Sequence, residues 1–295
     1  MKEYVVVYID AFTNTPFAGN PCAVLPMAEG LSDEQMQAIA RETNLNETSY
    51  VLSSDKANFR VRYFTPRNEI PFAGHPTIAT AFLLALEGYI FLQEPVTRIT
   101  LEFKIGVLPV DIEVKNGKPQ RVIMTQQAPT FGMTFDADVV APCLGLQVED
   151  LRSDCPSQVV STGVAFLIVP VRDVSVLGKV KMDREALAKL IDKAGVSAAY
   201  LFSLGGFKEE ADTHARLFDP RGTSEDPYTG SAAGAMGCFV IRYGLKKGPV
   251  LLAEQGNFVN RPGEGLLEIK NSPDKIESVR LGGAGVKVLE GKFFV

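Results

Sequence analysis

The sequence predicts a mixed α/β (α+β) protein made of two similar halves. The first observation is a pattern that occurs twice. Glu69-Ile70-Pro71-Phe72-Ala73-Gly74-His75-Pro76-Thr77 matches Glu225-Asp226-Pro227-Tyr228-Thr229-Gly230-Ser231-Ala232-Ala233. Each copy follows an apolar run and a Pro-Arg pair, Phe64-Thr65-Pro66-Arg67 and Phe218-Asp219-Pro220-Arg221, and each leads into a stretch of small apolar residues. The second observation is a pair of helical segments, Ser32–Asn44 and Asp183–Ala194, lying about 150 residues apart, close to the spacing of the motif copies. The third is length. At 295 residues the chain is long for one hydrophobic core, and a repeat of half the chain indicates a duplicated domain, not a solenoid.

The elements follow in order. Tyr4 to Ile9 is apolar and β-branched and reads as a strand, followed by a turn-rich loop from Thr13 to Pro21 and a short strand from Cys22 to Leu25. Ser32 or Asp33 can cap a helix whose apolar positions are Met36, Ile39 and Ala40. Tyr50–Leu52 and Phe59–Phe64 are strands, and the first motif helix runs from Gly74 through the apolar segment Ile78–Leu86. Ile99–Phe103, Val107–Val114 and Arg121–Met124 are strands, with Asn116-Gly117 as a hairpin turn. The second half replays the order: strand Val164–Val169, helix Met182–Ala194 capped at Asp183, strands Ala199–Phe202 and His214–Phe218, the second motif helix, and strands Val250–Glu254 and Leu266–Lys270. The switch between halves is expected near Gln126–Thr134, where Pro129 and Gly132 break the pattern. This gives an N-terminal domain of residues 1–128 and a C-terminal domain of 129–277. The last segment, 278–295, mirrors Arg121–Met124 at its start and is a candidate to cross back and complete the first domain.

Composition excludes several classes of function. Hydrophobic residues make up 46% and charged residues 22% of the chain, ordinary values for a globular protein. A net charge of −5 argues against general nucleic-acid binding, which needs a basic face. The N-terminal apolar run is short and ends at Asp10, unlike a signal peptide, and no run approaches the roughly 18 apolar residues of a membrane span. A cytoplasmic protein is the expectation, with Cys22, Cys143, Cys155 and Cys238 scattered and reduced. Two histidines and no ligand-like cluster speak against a zinc site, and no metal or cofactor is expected. Gly282-Gly283-Ala284-Gly285 lacks the rest of a dinucleotide fingerprint, and Gly230-Ser231-Ala232-Ala233-Gly234 is not a nucleophile elbow.

The repeated motif points to binding of an anion. Gly74 and Gly230 fall where each helix should begin, and glycine lets a ligand approach the backbone. First-turn N–H groups lack partners inside the helix and, with the helix dipole, attract negative charge. Two such helix starts, one per half, could grip one small anionic molecule in a cleft between the halves. Polar residues stand beside them: His75, Asp226 and Ser231. Glu47 follows the first helix, where the duplicated half reads Ala194-Gly195-Val196-Ser197-Ala198-Ala199, with Ser197 taken as its counterpart. One carboxylate near two helix starts suits a general base that returns its proton. Each residue also has a plain structural reading: Glu47 solvated or capping, His75 satisfied by backbone, Asp226 a turn aspartate. His214 lies outside both motifs and reads as structural.

Taken together, Asp10-Ala11-Phe12-Thr13, Phe17-Ala18-Gly19-Asn20-Pro21, Asn44-Leu45-Asn46-Glu47-Thr48, Gly74-His75-Pro76-Thr77 and Glu225-Asp226-Pro227-Tyr228-Thr229-Gly230-Ser231-Ala232 resemble the phenazine-biosynthesis PhzF-like isomerase family, with Gln255-Gly256 and Arg261-Pro262 fitting a later motif. The resemblance implies a diaminopimelate-epimerase-like fold, in which two pseudo-symmetric domains each wrap a curved, largely antiparallel sheet around a central helix. It implies proton transfer without a cofactor, with Glu47 as the catalytic glutamate and His75 and Asp226 assisting. It implies Gly74, Gly230 and Ser231 as substrate-binding residues; Asn20, in a matching segment, joins them. It also implies a homodimer.

Related racemases and epimerases place a cysteine immediately before each motif glycine. Those positions are Ala73 and Thr229 here, and neither can act as a thiolate base. The expected function is therefore a cofactor-independent isomerase that moves a proton between carbons of a small carboxylate-bearing metabolite, similar to trans-2,3-dihydro-3-hydroxyanthranilate isomerase. The alternatives are an amino-acid racemase or epimerase using Glu47 with another base, and a metabolite-binding protein without turnover.

Overall fold

The computed structural model describes residues 1–272 and 275–295. The chain forms two compact units, Met1–Met124 with Gly282–Val295, and Thr125–Leu281.

In the first unit the elements are β1 (Glu3–Ala11), β2 (Asn20–Leu25), α1 (Asp33–Thr43), β3 (Thr48–Leu52), β4 (Phe59–Phe64), β5 (Glu69–Ile70), α2 (Gly74–Leu86), β6 (Val96–Phe103), β7 (Gly106–Lys115) and β8 (Lys118–Gln126), whose last residues belong to the second unit. The second unit continues with β9 (Thr130–Phe135), α3 (Ala137–Val140), β10 (Ser157–Ser161), β11 (Ala165–Pro170), α4 (Val174–Leu177), α5 (Arg184–Ala194), β12 (Ala199–Leu204), β13 (Thr213–Phe218), α6 (Gly230–Arg242), β14 (Val250–Gln255), β15 (Gly263–Ser272) and β16 (Lys275–Gly283), whose last two residues belong to the first unit. β17 (Gly285–Phe294) closes the chain and pairs antiparallel with β1.

Strand pairing carries the duplication. In the first unit β1–β2 is antiparallel, β2–β3 parallel, β3–β4 antiparallel, β4–β6 parallel and β6–β7 antiparallel. In the second, β10–β11, β11–β12, β12–β13, β13–β14 and β14–β15 repeat that sequence of orientations. A parallel pair needs a crossover connection. The first crossovers carry α1 and α5, each of 11 residues, and the second carry α2 and α6, each of 13.

The alternation of strand side chains assigns each helix to a face. In β3 and β4, Tyr50 and Phe64 join the cluster containing Met36, Ile39 and Ala40 of α1. The intervening residues face α2: Ser49 bonds Thr80 at 2.7 Å and Tyr63 bonds Thr77 at 2.7 Å. A helix on one face of a sheet needs one apolar stripe. Accordingly α1 buries only Met36, Ile39 and Ala40, whereas every residue of α2 from His75 to Ala85 is buried. The second unit repeats this: Leu187, Leu190 and Ile191 of α5 pack with Leu167, Val169, Ala199 and Leu201, while Phe202 meets Phe239 of the enclosed α6.

Local signals explain the boundaries. Ser32 caps α1 through a capping box with Gln35, and Asn44 ends it at φ 52. Asp183 caps α5, so Met182 lies outside that helix. Asn116 and Gly117, both at positive φ, form the two-residue β7–β8 turn. The break expected at Gln126–Thr134 is confined to Gln127–Pro129. Gly132 lies inside β9, where a Cβ would meet Val159 of the paired β10 at 3.3 Å. Among the described residues no helix is long and apolar enough to cross a membrane.

Candidate active site

In the first unit, Glu47 ends the four-residue link between α1 and β3, and His75 is the second residue of α2. Oε2 of Glu47 lies 3.3 Å from Nε2 of His75, with side chains 19% and 8% exposed. Burial drives the imidazole pKa down to about 3, against a hydrogen bond to the Pro21 backbone that raises it. Proline has no N–H, so its carbonyl accepts from the ring. Nε2 is buried with no hydrogen-bond partner among the described residues, so the donor to Pro21 is Nδ1–H. The ring is thus neutral and turns its Nε2 lone pair toward Glu47. Two acceptor atoms facing each other at this distance are arranged to hold one shared proton.

Asn20 is fully buried beside Pro21 at the start of β2, opposite Ala11. The preceding Gly19 has φ 58, and a Cβ there would lie 2.1 Å from the Ala11 carbonyl oxygen, so only glycine delivers the chain to Asn20 and Pro21. Gly74 opens α2 after Ala73, which has no side chain able to cap the helix. A Cβ at Gly74 would meet no atom of the described residues within 4 Å.

In the second unit, Asp226, Gly230 and Ser231 gather at the start of α6. Thr229 is the N-cap residue, but its hydroxyl makes no cap bond and instead donates to Oδ2 of Asp226 at 2.6 Å. Gln255 at the end of β14, fully buried, accepts from the Thr229 N–H at 2.9 Å and donates to the Asp226 carbonyl at 2.7 Å. Gln126 donates to the Gly230 carbonyl at 2.9 Å, and Thr162 donates to Gln126 at 2.7 Å. The first turn of α6 is thus held through its carbonyls.

The duplication extends to an ion pair the sequence reading did not single out. Arg62 of β4 grips Glu69 through two nitrogens at 2.8 and 2.9 Å. Arg216 of β13 grips Glu225 in the same way at 3.0 and 2.6 Å. Each bridge ties the first residue of a motif copy to the strand before it. Repeated arginines two places before Phe64 and Phe218 were the available signal.

The structure corrects the counterpart of Glu47. α1 and α5 are each followed by four linking residues, and Thr48 and Ala199 open strands paired with Phe64 and Phe218. Ala198, not Ser197, therefore occupies the place of Glu47, and the second unit has no side chain there capable of proton transfer. The cysteines offer no replacement. All four are free and buried; burial pushes Cys22 well above the ordinary thiol value, with the charge of Glu47 adding to the effect, and Cys238 up to about 12. His214 is fully buried between Phe207 and Phe258, 3.4 Å from Glu254. Among the described residues no group of three or more His, Cys, Asp or Glu side chains is gathered as a metal ion would require.

The duplicated α/β scaffold, with an enclosed helix in each unit, carries a glutamate beside a neutral histidine in its first unit. The sequence matches the phenazine biosynthesis-like protein family over residues 9–291, and the chain belongs to that family of PhzF-like isomerases. It is 31% identical to an uncharacterised isomerase of Clostridium acetobutylicum, covering 99% of this chain and 98% of the relative. It is 32% identical to the trans-2,3-dihydro-3-hydroxyanthranilate isomerase of Pseudomonas aeruginosa over the full length of both. A PhzF-family phenazine biosynthesis protein of Bacillus anthracis superposes with a TM-score of 0.89 at 32% identity over the whole of both chains. A hydroxyproline epimerase from Agrobacterium vitis shares the fold, with a TM-score of 0.64 at 13% identity over 99% of this chain and 91% of its own.

Proposed function

We propose that this isomerase moves a proton between two carbons of a small carboxylate-bearing metabolite by general acid–base catalysis without a cofactor. The observation carrying this reading is the contact between Glu47 and a neutral His75. Glu47 as carboxylate removes a proton from an activated carbon; the C–H bond breaks and an O–H bond forms. The electron pair shifts through the adjacent unsaturation, and the proton is returned to a second carbon, so composition and oxidation state are unchanged. His75 accepts a hydrogen bond at Nε2 from protonated Glu47, steadying the proton between the two steps.

The binding residues in this reading are Gly74, Gly230, Ser231 and Asn20, with Asp226 orienting the substrate and assisting proton transfer in the same reaction. Two helix starts without side-chain caps support anion binding. The raised thiol pKa values and the absence of a thiol at Ala73 and Thr229 weigh against a two-thiol racemase. Relatives named trans-2,3-dihydro-3-hydroxyanthranilate isomerase make cyclic, unsaturated hydroxy- or amino-carboxylates the first substrates to try.

The test is deuterium incorporation from heavy water into such carboxylates, followed by mass spectrometry. Glu47→Gln keeps shape and removes the base, so exchange should fall by about 10²–10⁴-fold while the protein stays folded. Near-full exchange by Glu47→Gln ends this mechanism.

A further inference from the structure

The second motif copy contains a hydrogen-bond circuit whose proton directions can be deduced from donor and acceptor chemistry. The Thr229 N–H can only donate, so the Gln255 atom 2.9 Å from it is the amide oxygen. The Asp226 carbonyl can only accept, so the Gln255 atom 2.7 Å from it is the amide nitrogen. Both ends of the amide independently give the same orientation. Tyr200, also fully buried, donates its hydroxyl to the same amide oxygen at 3.0 Å. The amide nitrogen has a second proton, directed at Oγ1 of Thr229 at 3.3 Å. Oγ1 in turn donates its own proton to Oδ2 of Asp226, 2.6 Å away.

We propose that Thr229 and Gln255 are positioning residues for Asp226, holding Oδ2 of its carboxylate as an unprotonated acceptor through a chain of donors that begins at Tyr200 and the Gln255 amide. The proposal rests on Asp226 serving the reaction described above. A purely structural N-cap would turn its oxygen to the N2 or N3 amide of α6; Thr229 makes no such bond. The frame behind the circuit is rigid. Gly256 has φ 95, and a Cβ there would fall 2.2 Å from the Arg261 oxygen and 2.7 Å from the Pro227 oxygen. The chain leaving Gln255 therefore lies directly against the loop that carries Asp226. A hydroxyl donating to a carboxylate stabilises the ionised form, so the circuit sets both the orientation and the proton affinity of Asp226. Other ionisable groups lie near this carboxylate. Tyr200 of β12 feels its charge, Glu225 is clasped by Arg216 of β13, and Tyr228 gives its hydroxyl to the Ala253 carbonyl of β14.

The experiment titrates the Asp226 carboxylate directly by carbon NMR on the full chain labelled at aspartate side-chain carboxyls, the signal assigned by its loss in Asp226→Asn. Thr229→Val keeps the shape and removes the donor; the Asp226 midpoint should rise by about one pH unit. Thr229→Ser restores the hydroxyl and should titrate like the wild type. If Thr229→Val does not fold, Thr229→Ala takes its place with the same expectation. A midpoint unmoved by loss of the hydroxyl, or moved equally by Thr229→Ser, overturns the proposal. This readout needs no substrate, so it fails or succeeds separately from the Glu47→Gln exchange test.

Discussion

Nε2 of His75 and Oε2 of Glu47 face each other at 3.3 Å across the start of α2, and the Pro21 carbonyl on the far side of the ring fixes which nitrogen carries the proton. Three separate stretches of sequence meet there: the link after α1, the first turn of α2 and the start of β2. The arrangement makes the imidazole an acceptor, not a counter-ion.

That neutrality has a consequence for stability. The pKa of His75 is about 3 in the folded chain against 6.5 for the free side chain. The unfolded chain therefore binds more protons between these values, and stability falls as pH drops from about 6.5 toward 3. At pH 5 the loss due to this group is about 2 kcal/mol. Other carboxylates titrate in the same window, so the comparison must be between proteins. His75→Gln should show a shallower fall in urea-determined stability between pH 7 and pH 5 than the wild type. Parallel curves would show that the imidazole titrates in the folded protein as it does in the unfolded chain.

The thiols should be inert. Burial pushes Cys155 up to about 11 and Cys238 up to about 12, and holds Cys22 and Cys143 above the ordinary value. Thiolate is the reactive form. Native protein treated with iodoacetamide at pH 8 should show no rapid adduct by mass spectrometry, and four adducts should appear once it is denatured. Fast labelling of Cys22 in the native protein would contradict its placement beside Glu47.

The legible parts of this protein are those written in local sequence, several of them repeated twice. The matched helix starts, the capped helices α1 and α5, and the Asn116-Gly117 turn all rest on short-range chemistry written in adjacent residues. β9 and β10 were missed for a different reason: Phe131-Gly132-Met133 and Ser157-Gln158 show no clean alternation, and these strands owe their existence to each other and to β11. The error of one residue in placing Ser197 opposite Glu47 arose because sequence offers no register; the strand pairing of Thr48 and Ala199 supplies it. Pro21, Thr229 and Gln255 act through contacts between distant segments, so their roles became visible only with the tertiary structure.

The duplicated ion pairs predict an ordering of effects. Arg216 and Glu225 have side chains 15% and 13% exposed, and Arg216 also donates to the Leu177 carbonyl and lies over the Phe218 and Phe258 rings. Arg216→Met leaves a nearly buried carboxylate alone and should cost about 2–4 kcal/mol. Glu225→Gln leaves the arginine its carbonyl and its rings and should cost less. Glu225→Gln should also speed amide hydrogen exchange in the 225–230 loop, because the tie to β13 is weakened. Equal costs for both variants would show that the packing of Arg216 contributes nothing beyond the pair.

Gly74 separates stability from function most sharply. Its φ is not in the left-handed region, and a methyl group there meets no described atom within 4 Å. Nothing among the described residues therefore demands glycine at this helix start. Glycine within a helix is destabilising by roughly 0.5–1 kcal/mol relative to alanine, so Gly74→Ala should leave the melting temperature unchanged or slightly higher. If the first-turn N–H groups of α2 receive the anionic group of the substrate, the same methyl stands where that group must approach the backbone. Binding of the carboxylate should then weaken by at least about tenfold, roughly 1.4 kcal/mol, with turnover falling in parallel. Gly256→Ala provides the opposite control, since its Cβ would overlap two carbonyl oxygens at 2.2 and 2.7 Å and should destabilise the fold itself. Calorimetry on both variants, together with ligand titration of Gly74→Ala, decides the matter. A Gly74→Ala protein that is stable and binds the carboxylate as tightly as the wild type would remove the start of α2 from the anion site.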